Sequence, residues 1–150
     1  MENTINLDGF IQIAIVVEDI EKVSKAWAKL FGVPEPEIQD ASTEGDSNVT
    51  YRGQVASYGL KIAVIRVGSF VVELLEPDKR DSTFREFLDK NGPGVHYLGF
   101  EVGQRRDGII SELEEMGFSM RQIGFYPGSS WTVVDSADAL GVGLNIKPKA

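Results

Sequence analysis

The chain has 150 residues, 42% of them hydrophobic and 25% charged, with 23 acidic against 15 basic side chains and a formal net charge of −8. That length suits one domain, or two small halves around a shared core, and the acidity argues against a nucleic-acid partner, which needs clustered Lys and Arg. The absence of cysteine excludes disulfides and thiolate metal sites, and with neither a signal-peptide pattern in MENTINLDGF nor a membrane-length apolar run, a cytoplasmic protein is expected.

The first predicted element is a strand in IQIAIVV, from residue 11. A helix follows, with Val23, Ala26, Trp27, Leu30 and Phe31 on one face at helical spacing. Gly32 is its expected stop, because glycine takes the left-handed conformation cheaply. Residues 34–47, PEPEIQDASTEGDS, read as a polar, acidic loop. Three strand-like runs come next: 48–53, 60–67 and 70–77. Gly68-Ser69 between the last two suits a two-residue hairpin, and Pro77 closes the third.

A linking helix is predicted over about 81–91, in DSTFREFLDKNG, with Thr83 and Glu86 at capping-box spacing. Asn91-Gly92-Pro93-Gly94 ends it. The next strand is HYLGFEV (96–102), followed by a helix with Ile109, Ile110, Leu113 and Met116 on one face and Gly117 as its stop. Strands at 119–124, 131–136 and 142–148 complete the chain.

The two halves repeat. Gln12 aligns with Tyr97, Ile13 with Leu98, Ala14 with Gly99, Ile15 with Phe100 and Val17 with Val102, a shift of 97 − 12 = 85 residues. At that shift Gly32 also falls on Gly117. Each half therefore reads βαβββ, one module over about 9–77 and a second over about 94–148.

The stretches FIQIAIVVEDIEKV, VVELLEP, GPGVHYLGFEV and GVGLNI resemble the vicinal oxygen chelate superfamily, which includes glyoxalases, epimerases, extradiol dioxygenases and bleomycin-resistance proteins. VELLEP, the linking helix and GVH look closest to its methylmalonyl-CoA epimerase-like branch. The resemblance spans residues 9 to 148. It implies an α+β fold in which two tandem βαβββ modules form one open, funnel-shaped sheet within a single domain. Members often form homodimers, so a homodimer with a small-molecule ligand in the funnel is expected.

In that family one metal ligand comes from each of four strands. The matching positions here are Gln12, Glu73, Tyr97 and Asn145. Only Glu73 is a strong ligand for a hard divalent ion; two amides and a phenol of ordinary pKa about 10 supply little charge. The expectation is no bound metal or other cofactor, the alternative being a divalent ion held weakly through Glu73. The single histidine, His96, precedes the metal slot. Strand alternation places it on the opposite face, as a structural or surface residue behind the sheet.

The resemblance makes Glu73 a candidate base for removing a proton α to a carbonyl, because a carboxylate in an apolar run must be hydrogen-bonded or perturbed. Tyr97 is then a candidate hydrogen-bond donor to the enolate oxygen. Gln12 and Asn145 are candidate ligand-binding amides. Tyr51, Phe125, Tyr126 and Trp131 are candidate aromatic walls, the last three flanking the Gly/Pro-rich loop in FYPGSSW. Each also has a plainer reading: Glu73 satisfied by its amide and phenol neighbours, Tyr97 filling the space of the ion, the aromatics packing the core. Two functions stay open. One is an epimerase-, isomerase- or lyase-type enzyme using proton transfer. The other is a non-catalytic small-molecule-binding protein of the bleomycin-resistance kind.

Overall fold

The computed structural model describes residues 2–43, 48–126 and 128–148, without the side chain of Tyr126. The chain runs β1 (Phe10–Val16), α1 (Ile20–Phe31), β2 (Gln39–Asp40), β3 (Val49–Tyr51), β4 (Gln54–Val55), β5 (Leu60–Val67) and β6 (Phe70–Pro77). It continues through α2 (Thr83–Asn91), β7 (Gly94–Glu101), α3 (Arg106–Glu115), β8 (Ser119–Tyr126), β9 (Ser129–Asp135), α4 (Ala137–Leu140) and β10 (Gly143–Lys147). The fold is α+β. All strands belong to one mixed sheet of order β2-β5-β6-β1-β7-β10-β9-β8-β3-β4. Among the described residues, no helix is long and apolar enough to cross a membrane.

The repeat is visible in this order. β1 pairs parallel with β6, β7 pairs parallel with β10, and the antiparallel β1–β7 pair joins the halves. Each half contributes four strands, β2-β5-β6-β1 and β7-β10-β9-β8. The segment 48–53, expected as the second strand of the first half, does something else. It forms the β3–β4 hairpin, which leaves its own half and pairs with β8 at the far edge. The strand that fills its expected place is β2, only two residues long, in a segment that reads as loop.

Strand alternation divides the apolar residues between two faces. On the inner face Ala14, Val16, Leu60, Leu75, Tyr97 and Val133 pack with Phe84 and Leu88 of α2. On the outer face α1 covers Ala63, Ile65, Val72 and Leu74. α3 covers Val134, Leu144 and Ile146. Full burial of one such Leu or Ile contributes roughly 1.5–3 kcal/mol, so these layers are the main favourable term.

The helices begin and end for local reasons. Asp19 caps α1 by accepting from the Lys22 amide at 3.2 Å, and Gly32 closes it with φ +64. The buried stripe of α1 is rotated from the expected one. Ile20, Ser24 and Ala28 face inward with Val23 and Trp27 beside them, while Leu30 and Phe31 are exposed. Ser24 tolerates burial because its hydroxyl donates back to the Glu21 carbonyl. The cap of α2 is Ser82, whose Oγ accepts from the Arg85 amide at 3.0 Å. Thr83 and Glu86 are thereby free for contacts across the fold.

Candidate functional site

The four positions singled out by the repeat lie on four consecutive strands at the centre of the sheet: Glu73 on β6, Gln12 on β1, Tyr97 on β7 and Asn145 on β10. Their side chains meet on the inner face. Gln12 Nε2 donates to Glu73 Oε2 at 2.7 Å. The Tyr97 hydroxyl donates to Glu73 Oε1 at 2.9 Å. Asn145 hydrogen-bonds Tyr97 in turn, while its Oδ1 accepts from the Thr132 amide at 3.1 Å. Gln12, Tyr97 and Asn145 are buried, and Glu73 is half-buried.

Two small residues make this meeting possible. Glu73 and Tyr97 lie two strands apart, both registered against Ala14 of β1. Strands are about 4.8 Å apart, so the two side chains must bridge nearly 10 Å above whatever residue lies between. Alanine leaves that path clear. Gly99 of β7 is registered against both Gln12 and Asn145. Its missing side chain leaves the slot in which the Gln12 amide lies.

The electrostatics follow from burial. Tyr97 is pushed well above the usual phenol range, first by loss of water and then by the charge and hydrogen bond of Glu73. It remains a protonated donor at neutral pH. Gln12 Oε1 is buried and, among the described residues, meets no hydrogen-bond donor.

A divalent metal, which the family resemblance implies, does not fit this set. Both Glu73 oxygens already accept hydrogen bonds, Tyr97 holds its proton, and Asn145 Oδ1 is committed to a backbone amide. Among the described residues of the cluster, the acceptor left without a donor is Gln12 Oε1, a neutral carbonyl, and hard cations want several charged or well-placed oxygens. Among the described residues, no three His, Cys, Asp or Glu side chains group as a ligand set.

His96 is not behind the sheet. The register slips between Ala14, opposite Tyr97, and Ile15, opposite Val95, so His96 is the extra residue of a β-bulge. The bulge turns His96 and Tyr97 towards the same side, their rings 5.3 Å apart and both buried. The His96 ring packs 4.8 Å from Phe87 and its Nε2 is 2.9 Å from Thr83 Oγ1. Burial first, and the Arg121 guanidinium second, lower its pKa to about 4. It is a neutral imidazole docking α2.

β8 carries a similar slip between Met120 and Gln122, which leaves Arg121 as the extra residue. His96 and Arg121 line one cavity of about 260 Å³, together with Glu86, Phe87 and Val142. Arg121 pairs with Asp135. Glu86 accepts from Tyr51 and, at 2.5 Å, from Arg52, and these bonds keep its carboxyl below its ordinary value although burial pushes it upward. A further buried chain runs beside this: Gln122 Oε1 accepts from the Thr83 amide at 2.7 Å, and Gln122 Nε2 donates to the Tyr58 hydroxyl at 3.0 Å. The sequence reading missed this whole polar layer. Its signal was indirect: Thr83 and Gln122 sit at core-facing positions.

The aromatic candidates divide. Trp131 lies on the inner face, flat against Gly124, and packs with the Phe84 cluster. Tyr51 packs beside that cluster but spends its hydroxyl on Glu86. Phe125 is on the opposite face from Gln122 and Gly124, 54% exposed, with the Arg106 guanidinium 5.8 Å from its ring. The expected wall role for Phe125 therefore lacks the geometry, because alternation gives the inner position to Gly124. The Tyr126 side chain lies outside the described residues.

Comparison with known proteins agrees with this architecture. Human mitochondrial methylmalonyl-CoA epimerase is 28% identical over 98 residues, which are 65% of this chain and 48% of that protein, so the chain spans about half the length of the curated relative it matches. The crystal structure of methylmalonyl-CoA epimerase from Mycobacterium tuberculosis superposes with a TM-score of 0.63 at 19% identity, covering 100% of this chain and 93% of that one. A methylmalonyl-CoA epimerase in complex with methylmalonyl-CoA and NH4+ gives a TM-score of 0.63 at 21% identity over 94% of each chain. Residues 11–134 match the family described as the Glyoxalase/Bleomycin resistance protein/Dioxygenase superfamily, and the chain belongs to it.

Proposed function

We propose that the protein is an epimerase- or isomerase-type enzyme that moves a proton α to a carbonyl, with Glu73 as the base and no divalent metal. The observation that supports this most is the position of Glu73. It is the one carboxylate in the central cluster, half-buried where Gln12, Tyr97 and Asn145 are buried, and held by donors on both oxygens. A carboxylate fixed this way points at one spot and is oriented for proton transfer.

The step needs few parts. The C–H bond α to the carbonyl breaks, its proton goes to a Glu73 oxygen, and the electron pair moves onto the carbonyl oxygen. Protonation removes the charge that Gln12 and Tyr97 were serving. Their N–H and O–H, with the Asn145 amide beside them, then become available to the developing enolate oxygen. Water on the other face then protonates the same carbon, which inverts the centre, and Glu73 gives its acquired proton to solvent to restore the carboxylate.

Acyl-CoA thioesters are the substrate class, because relatives by sequence and by fold are methylmalonyl-CoA epimerases and the α-protons of thioesters are acidic enough for a carboxylate base. A homodimer in solution is part of this reading. The test is turnover of a panel of chiral 2-methyl-branched acyl-CoA thioesters, followed by loss of optical purity in wild type and Glu73→Gln. Inversion by wild type that disappears in the variant supports the proposal. No inversion of any panel member, with saturable binding of a cationic drug instead, favours a binding protein. The closed hydrogen bonding of both Glu73 oxygens would then be a purely structural arrangement.

A further inference from the structure

We infer that Gly99 is a positioning residue: its empty side-chain slot holds the Gln12 amide on Glu73. Three observations carry this. First, Gly99 sits on the central strand β7, opposite Gln12 on one side and Asn145 on the other. A side chain there would enter the middle of the polar cluster. Second, a Cβ built on Gly99 would overlap Gln12 Oε1, and would fall 2.9 Å from Gln12 Cβ and 3.1 Å from Gln12 Cδ. Real Cβ atoms essentially never come within 3.0 Å of a neighbour, so the Gln12 side chain would have to shift from its place.

Third, a single hydrogen bond does not by itself fix the plane of the Gln12 amide. Nε2 donates to Glu73, while among the described residues the buried Oε1 meets no donor. A free glutamine would turn to satisfy that oxygen. What fixes its plane is packing in the Gly99 slot, and the slot therefore sets whether Glu73 Oε2 receives its donor. Gly99 has an ordinary φ here, so the glycine is required for space and not for backbone conformation. The catalytic meaning of this control rests on the base role proposed for Glu73, but the positioning itself does not.

The test reads Gln12 directly. In protein labelled with 15N at glutamine side chains, the Gln12 signals are assigned by their loss in Gln12→Ala. In wild type one Gln12 amide proton should be protected from solvent exchange. In Gly99→Ala it should exchange at least tenfold faster, while the Gln122 signals stay unchanged, because Gln122 is held by Tyr58 and Thr83 elsewhere. Unchanged Gln12 exchange in Gly99→Ala would overturn the inference, as would equal loosening of Gln122. Should Gly99→Ala not fold, the variant Gln12→Gly/Gly99→Ala decides. Recovery of folding when the Gln12 side chain is removed supports the slot, and failure to recover refutes it. Absence of enzymatic activity would leave these outcomes untouched and count only against the base role.

Discussion

Protonation of His96 should destabilise the fold, and the size follows from its surroundings. The imidazole is 2% exposed, flanked by Phe84 and Phe87, with Arg121 and Glu86 as the charged groups nearby. Its pKa falls from 6.5 to about 4 in the fold, mainly through lost hydration and then through Arg121. The unfolded chain therefore takes up the proton first as pH drops. Stability is intact above the unfolded value of 6.5 and declines as pH falls towards about 4. Linkage gives a loss of about 2 kcal/mol between pH 8 and pH 5, or roughly 6 °C in Tm for a chain of this size. Carboxylates held low, such as Glu86, titrate beneath that window and add little to it. Urea unfolding of wild type and His96→Gln across this range would measure the effect. The variant keeps a polar group beside Thr83 and should show a much flatter profile. Equal pH dependence in the two proteins would refute the assignment of His96 as a buried neutral group.

Three further outcomes are expected. Ala14→Leu should place a side chain in the path between Glu73 and Tyr97, cost about 1–3 kcal/mol by overpacking, and be read by thermal unfolding. Tyr97→Phe removes the donor to Glu73 and leaves the Asn145 amide short of a partner, for a loss of about 1–3 kcal/mol in urea titrations. Gly124→Ala would drive a Cβ into the indole of Trp131, so its fluorescence should shift as the ring leaves the inner face, with little change elsewhere.

The fold was legible where the pattern depends on chemistry local to one element. The repeat at a shift of 85 residues located both strand–helix starts, and Gly32 and Pro77 end elements for reasons visible in their residue types, whereas the cap of α2 is Ser82 and not Thr83, the residue that the capping-box spacing selected. It was less legible where tertiary pairing decides. The hairpin at Val49–Val55 has ordinary strand residues, and nothing in them says that it pairs with β8 and not β5. The candidate site was legible as a set of positions, since the repeat and the family pattern both select Gln12, Glu73, Tyr97 and Asn145. Its internal bonding was not. Period-two alternation assumes an unbroken register, and a one-residue bulge at His96 and another at Arg121 reverse the expected faces. The spaces above Ala14 and Gly99 likewise become meaningful only once the neighbouring strands are known.

The proposed role of Glu73 is to remove a proton from an enolisable carbonyl compound. The most direct measurement is α-hydrogen exchange of methylmalonyl-CoA in deuterium oxide, followed by proton NMR with wild type and Glu73→Gln. Catalysed exchange is expected in metal-free wild-type protein, with a loss of about 10²–10⁴-fold in the variant, the usual contribution of a general base. Exchange that is equally fast in Glu73→Gln would contradict it, as would exchange that appears only when a divalent metal is added.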